Sequence, residues 1–265
     1  MACTGQVGSK PSLFVWDATT GEKKARAKLP KGSRGVNSIC FSKDNNMVGL
    51  VDLHNEHNIY IYNFNGSSLE LKGTCKGSQN KIHDMAFDKT SNRFCTAGSK
   101  HIEFGDADVA NFDSRRGIFG NTKMTSFSCC VWDDEGICWT GASNSLIYKW
   151  GKDRTCEGTI DAHGKGFVCT INFANGMLLS GGKDGDVHEI DRAGMCSKRK
   201  WSFNNLVRAV DCKDDKLLVG LRNGTIWERP CSGGEGRDIM NSHSEGEIWG
   251  LAKREGKVIT SGDDD

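Results

Sequence analysis

The chain has 265 residues, with 33 glycines, 3 prolines, 12 cysteines and a formal net charge of +1. That length can bury a sizeable core in one or two domains, and the near-neutral balance excludes a protein built mainly to coat nucleic acid, whose phosphates demand a basic surface. No run reaches the roughly eighteen apolar residues needed to span a bilayer as a helix, so no membrane partner is expected. Met1-Ala2-Cys3-Thr4-Gly5 lacks the charged start and apolar stretch of a secretory leader. Cys40, Cys95, Cys129, Cys138, Cys169 and Cys212 lie in apolar strand-like runs, where a thiol packs as a small hydrophobe. A reducing, cytoplasmic setting is expected.

In chain order, Ala2–Asp17 reads as a late strand pair ending in Phe14-Val15-Trp16-Asp17. A unit of alternating strands and tight turns then recurs. Its first strand begins near Val36, Ile82, Phe127, Phe167, Val207 and Ile248, at intervals of 46, 45, 40, 40 and 41 residues, close to the roughly 40–45 of one propeller blade. A second strand follows each time, at Met47–Val51, Arg93–Ala97, Gly136–Gly141, Met177–Gly181, Lys216–Gly220 and Lys257–Gly262. A third follows five times, at Ile59–Asn63, His101–Phe104, Leu146–Trp150, Val187–Ile190 and Thr225–Glu228. Gly166–Asp191 is the clearest unit: Phe167, Cys169, Ile171 and Phe173 alternate, and Asn175-Gly176 and Asp184-Gly185 supply turns that tolerate positive φ.

Polar stretches between units, such as Thr74-Cys75-Lys76 and Thr159-Ile160, carry a weaker strand expected to start the next blade. Four antiparallel strands per blade and no convincing helix give an all-β chain, a β-propeller. The chain holds five complete repeat units and a half-blade at each end. Residues 1–265 are therefore expected to form one incomplete propeller within a longer protein.

Trp16-Asp17 and Lys149-Trp150-Gly151 look like blade endings of the WD-repeat class, and Ala162-His163 and Ser242-His243 resemble its Gly-His position. More specific strings follow in order: Cys3-Thr4-Gly5-Gln6, Val36–Ser42, Arg116-Gly117-Ile118-Phe119, Trp150-Gly151-Lys152, Asp161-Ala162-His163, Ser180–Asp184 and Glu247–Ala252. Together they resemble the amino-terminal propeller of the echinoderm microtubule-associated protein-like family, over nearly the whole chain. The family's amino-terminal hydrophobic motif and second propeller are absent. Gly105-Asp106 stands where a blade-ending tryptophan is expected, and Ile190-Asp191 and Trp227-Glu228-Arg229 also depart from the Trp-Asp ending.

The resemblance implies a WD-repeat β-propeller with a tandem-propeller parent, and a non-enzymatic, microtubule- or tubulin-binding cytoskeletal protein whose setting includes the ciliary axoneme. It also implies that His163 and His243 hydrogen-bond within their blades. No catalytic set is expected, since no nucleophile, base and orienting group assemble. No cofactor is expected, because Gly164-Lys165-Gly166 lacks the spacing of a phosphate loop. No metal ligands are expected either: there is no CxxC, no histidine at ligand spacing from a cysteine pair, and Asp184-Gly185-Asp186 lacks the length and glutamate of an EF-hand.

Two basic clusters remain, Arg115-Arg116 and Lys198-Arg199-Lys200. As solvated loops they are ordinary surface. As contacts they suit an acidic partner such as tubulin, through steering that weakens with salt. The alternative is a general WD-repeat scaffold that joins protein partners without touching tubulin.

Overall fold

Asn175 and Gly176 take φ of 50° and 74°, the doubly left-handed geometry of a two-residue hairpin turn. The flanking strands leave it with Ala174 opposite Met177. Turns of this kind order an all-strand chain in the computed structural model, which describes residues 1–109, 111–241, 248–254 and 257–262. His243, Glu247 and Asp263–Asp265 lie outside the described residues.

The first sheet is β1 (Ala2–Gly5), β2 (Ser12–Trp16) and β3 (Lys23–Lys28). The next is β4 (Val36–Phe41), β5 (Met47–Asp52), β6 (Ile59–Phe64) and β7 (Leu69–Cys75). It is followed by β8 (Ile82–Phe87), β9 (Arg93–Gly98), β10 (His101–Asp106) and the two-residue β11 (Arg115–Arg116). Then come β12 (Phe127–Trp132), β13 (Cys138–Ala142), β14 (Leu146–Trp150) and β15 (Cys156–Asp161). The last four-stranded sheets are β16 (Val168–Ala174), β17 (Met177–Gly182), β18 (Asp186–Asp191) and β19 (Cys196–Ser202), and β20 (Val207–Lys213), β21 (Lys216–Leu221), β22 (Thr225–Pro230) and β23 (Arg237–Asn241). A pair, β24 (Ile248–Arg254) and β25 (Lys257–Gly262), follows. In each sheet the strands pair in chain order, the repeated blade of a WD-repeat β-propeller.

The polar fourth strands correct one expectation. β7 pairs with β6 at the edge of its own sheet, Ile59 opposite Cys75, and β19 pairs with β18. Such a strand therefore finishes a sheet rather than opening the next one. Its exposure explains its weak pattern: every residue of β19 but Trp201 is exposed. The leading segment Ala2–Asp17 holds the expected strand pair, β1 with β2, and β3 beyond it extends that sheet to three strands.

The chain divides into two compact units, one of Met1–Cys138 with Trp150–Cys156, the other of Trp139–Lys149 with Glu157–Asp265. In the first, Leu13, Val15, Val48, Leu50, Tyr60 and Tyr62 form one buried cluster between consecutive sheets. Val51, Ile61, Ile82, Met85, Phe87 and Phe94 form the next. In the second unit Leu179, Val187, Val207, Val210, Leu217 and Val219 play the same part. One sheet cannot bury its own faces, and each alternating strand supplies a face to the following sheet.

Two further devices recur. The first strand of five sheets carries a register shift near its start, between Val36 and Ser38, Ile82 and Asp84, Val168 and Thr170, Val207 and Ala209, and Ile248 and Gly250, which is where a bulge increases local twist. Polar side chains also reach across one repeat. Ser38 Oγ donates to Asp84 Oδ1 (3.2 Å), the Cys130 amide to Asp84 Oδ2 (2.9 Å), Trp132 Nε1 to the Ala86 carbonyl (3.1 Å), and Asn37 to the Ile82 carbonyl. In the second unit Asn172 Nδ2 donates to Asp211 Oδ1 at 2.8 Å.

Candidate partner-binding surface

Arg115 and Arg116 make up β11, the outer edge of their sheet, opposite Phe104 and Glu103 of β10. Both are exposed, and neither forms an ion pair among the described residues. A short, charged edge strand of this kind discourages pairing with another sheet while displaying its side chains. The Arg116 carbonyl accepts a hydrogen bond from Arg154 Nη1 at 2.9 Å, which brings a third guanidinium to the same place.

Arg115, Lys152 and Arg154 line a cavity of about 360 Å³. Its apolar lining is Phe104, Phe112 and Trp132, 6%, 4% and 1% exposed, and Asp106 and Asp113 also line it. Phe104 meets the Trp132 ring edge to face at 6.0 Å, so the wall is stiff. Arg93 also lines the cavity, but its charge is spent: it binds Asp88 at 2.7 Å, donates to the Lys152 carbonyl at 2.8 Å and lies 5.0 Å over Trp132. Gly105 explains the missing tryptophan. It stands opposite Phe94, and a Cβ there would lie 2.3 Å from that ring, so Phe94 occupies the space of any larger side chain.

An aromatic wall under exposed cations suits an acidic segment that also carries an apolar side chain. The cavity is assembled from β9, β10, the segment after it, β11, β12 and the segment after β14. Of its residues, Arg115 stands out in the sequence as charge, while Gly105, Asp106, Gly151 and Lys152 appear there only within blade-ending strings. Phe112, Lys152 and Arg154 carry no spacing signal, because they converge from segments some forty residues apart.

Lys198, Arg199 and Lys200 lie on β19 in the second unit and are not part of this cavity. Their charge is largely matched within their own sheet. Lys198 Nζ is 3.4 Å from Glu189, Arg199 Nε also binds Glu189, and Lys200 Nζ is 3.1 Å from Asp186. Arg199 further donates to the Cys231 carbonyl at 2.8 Å. Glu189 is only 5% exposed, and a carboxylate at such depth requires these partners.

His163 is completely buried and bonds within its sheet, Nδ1 to Asp184 Oδ1 and Nε2 to Ser180 Oγ, both at 3.0 Å. The cysteines are free thiols. Burial pushes Cys3 and Cys75 up to about 12 and raises Cys40 as well, so these sulfurs stay neutral and pack as hydrophobes. Burial also lowers His101 to about 4, with Arg116 and His57 adding to the effect.

The family model of the echinoderm microtubule-associated protein first beta-propeller matches residues 1–229. The ciliary WD repeat-containing protein ctxp80 of Euplotoides octocarinatus is 40% identical over 268 residues, covering 100% of this chain and 37% of that protein. The 77 kDa echinoderm microtubule-associated protein of Lytechinus variegatus is 28% identical, covering 98% of this chain and 41% of that protein. The chain thus spans about two fifths of the length of these relatives. Among solved structures, the computationally designed Ika8 protein superimposes with a TM-score of 0.72 at 16% identity, covering 99% of this chain and 80% of that one, a likeness of fold alone.

Proposed function

Because the chain belongs to the echinoderm microtubule-associated protein family, through its first β-propeller, we propose that it is a non-enzymatic protein that binds tubulin or microtubules. On this reading residues 1–265 are one propeller, a rigid platform in the microtubule cytoskeleton, including that of cilia. The observation that carries it is the exposed, unmatched pair Arg115 and Arg116 beside the aromatic-walled cavity with Lys152 and Arg154. Residues fixed on a sheet edge lose little ordering entropy on binding. Tubulin is acidic, so its attraction to such a surface falls as salt rises.

The test is co-sedimentation of the chain with polymerised microtubules across a salt series. The parent is expected to pellet at low salt and to be released as salt rises. Arg115→Glu with Arg116→Glu is expected to weaken pelleting about tenfold, the equivalent of 1.4 kcal/mol. Equal pelleting by both proteins would remove these residues from the interface. No pelleting at any salt would remove tubulin as the direct partner and leave the general scaffold.

A further inference from the structure

The sheet β16–β19 holds a polar cluster that partner binding leaves without a role. His163, just ahead of β16, is completely buried, and His188 on β18 is 5% exposed. Their rings meet edge to face with centroids 4.7 Å apart. Asp184, in the turn between β17 and β18, closes on the same point, with its oxygens 3.0 and 3.2 Å from His163 Nδ1. One donor atom from each of His163, Asp184 and His188 lies within 4.8 Å of the others.

The other nitrogen of each imidazole is held by a hydroxyl. His163 Nε2 is 3.0 Å from Ser180 Oγ, and His188 Nδ1 is 2.7 Å from Ser197 Oγ. His188 Nε2 is buried and has no hydrogen-bond partner among the described residues. A buried polar atom with no partner is rare in native proteins and demands a cause. Histidines whose outer nitrogens are anchored by hydrogen bonds, with a carboxylate alongside, are arranged as metal ligands are. Two imidazoles and a carboxylate are also a donor set that zinc and its neighbours favour.

We propose that His163, Asp184 and His188 bind a divalent transition-metal ion of the zinc class. The ligands are His163 Nδ1, a carboxylate oxygen of Asp184 and His188 Nε2, and water takes the fourth position. A tetrahedral zinc ion with bonds of about 2.0–2.1 Å spaces its donors roughly 3.4 Å apart. Asp184 already stands within that spacing of His163 Nδ1, so binding draws in the widest pair, up to 4.8 Å apart, by roughly 1–1.5 Å on that geometry. As the ion takes Nδ1, the proton held there moves by way of solvent to Nε2, with no net proton released. Ser180 then accepts a hydrogen bond from His163 Nε2–H instead of donating to that nitrogen. The ion ties the segment before β16 to β18 and gives His188 Nε2 its partner.

The test uses the 265-residue chain, stripped with a chelator and then titrated with zinc or cobalt(II). The expected result is one ion per chain, a higher melting temperature, and a cobalt absorption spectrum of nitrogen and oxygen ligands without thiolate charge transfer. His188→Phe keeps a buried ring and removes the donor. It is expected to lower affinity on the order of a hundredfold or more, beyond what loss of an outer hydrogen bond costs, while the metal-free protein melts no earlier than the parent. If His188→Phe does not fold, His188→Gln carries the same comparison. No bound ion, a thiolate spectrum, or affinity unchanged by either substitution would overturn the site.

Discussion

Replacing Arg93 with alanine should destabilise the first unit more than any surface change, because Arg93 is the counter-charge of a carboxylate with no access to water. Asp88 is completely buried, and the Arg93 side chain is 24% exposed. Arg93 holds Asp88 Oδ2 through Nη2 at 2.7 Å and Nε at 3.2 Å. It also donates to the carbonyls of Lys152 at 2.8 Å and Gly136 at 3.1 Å. Removing one partner of a buried pair costs about 3–5 kcal/mol. Two features place this site near the lower bound: water can reach the vacated space, and Asp88 keeps hydrogen bonds from Ser91 and Thr90. A loss of about 3 kcal/mol is roughly a hundredfold in the unfolding equilibrium. Arg93→Lys keeps the charge but not the planar fork, and is expected to lose about 1–2 kcal/mol.

Urea denaturation of these variants is the assay, with Arg115→Ala as the exposed control, expected within about 0.5 kcal/mol of the parent. The pH dependence supplies a second check. Burial pushes the Asp88 carboxyl up, but hydrogen bonds from Ser91, Thr90 and Arg93 outweigh it and hold the group below its ordinary value. A depressed carboxyl contributes stability above its unfolded value of about 3.9, lost as pH falls through the folded one. The difference between parent and Arg93→Ala should therefore shrink in acid. A loss under about 1 kcal/mol at neutral pH, where removing a buried partner predicts several, would refute the argument, as would a difference indifferent to pH.

Other outcomes follow from the same geometry. Gly105→Ala drives a methyl into the Phe94 ring and is expected to destabilise by about 1–3 kcal/mol, read as a lower urea midpoint. Buried His101, held down to about 4, takes up a proton when the chain unfolds at any pH between that value and about 6.5. Stability is thus complete above about 6.5 and declines by about 3 kcal/mol as pH falls towards 4; His101→Gln should flatten that slope, and parallel curves would disprove it. Reversing Lys198, Arg199 and Lys200 to Glu is expected to cost roughly 1–2 kcal/mol of stability by stranding Glu189, with microtubule pelleting little changed. Thiol titration of the unfolded, non-reduced chain should find all 12 cysteines free.

Much of the fold is visible in the sequence because one unit is written repeatedly. Val36, Ile82 and Val207 begin strands where the alternation begins, and Leu146–Trp150 is a strand with the bounds its pattern gives. The fourth strands are read into the wrong sheet because an exposed edge strand has no apolar face to declare its neighbour. Arg115 and Arg116 are legible as charge. Yet nothing in the chain distinguishes their unmatched guanidinium groups from those of β19, whose partners Glu189 and Asp186 become visible only through strand register. The aromatic wall is hidden for a similar reason: Phe104, Phe112 and Trp132 read as core, which by burial they are. His188 is silent as well, since a lone histidine on a strand gains meaning only when His163 is folded against it.

The polar bonds that reach across one repeat also govern the order of events at the ribosome. Asn37 and Ser38 find their acceptors at Ile82 and Asp84, and Asp84 in turn awaits Cys130. The sheets that begin with β4 and β8 therefore emerge with donors or acceptors that the following sheet answers. At roughly 5–20 residues per second, the 46 residues between Ser38 and Asp84 take about 2–9 s to synthesise. For that interval the newest sheet stands with its inner polar groups in water and its apolar face uncovered, the species on which a chaperone would act. Closure over one repeat adds little entropy beyond that of shorter loops, so the lag is set by synthesis rather than by search. On this geometry these sheets are expected to assemble as a relay, each completed by its successor.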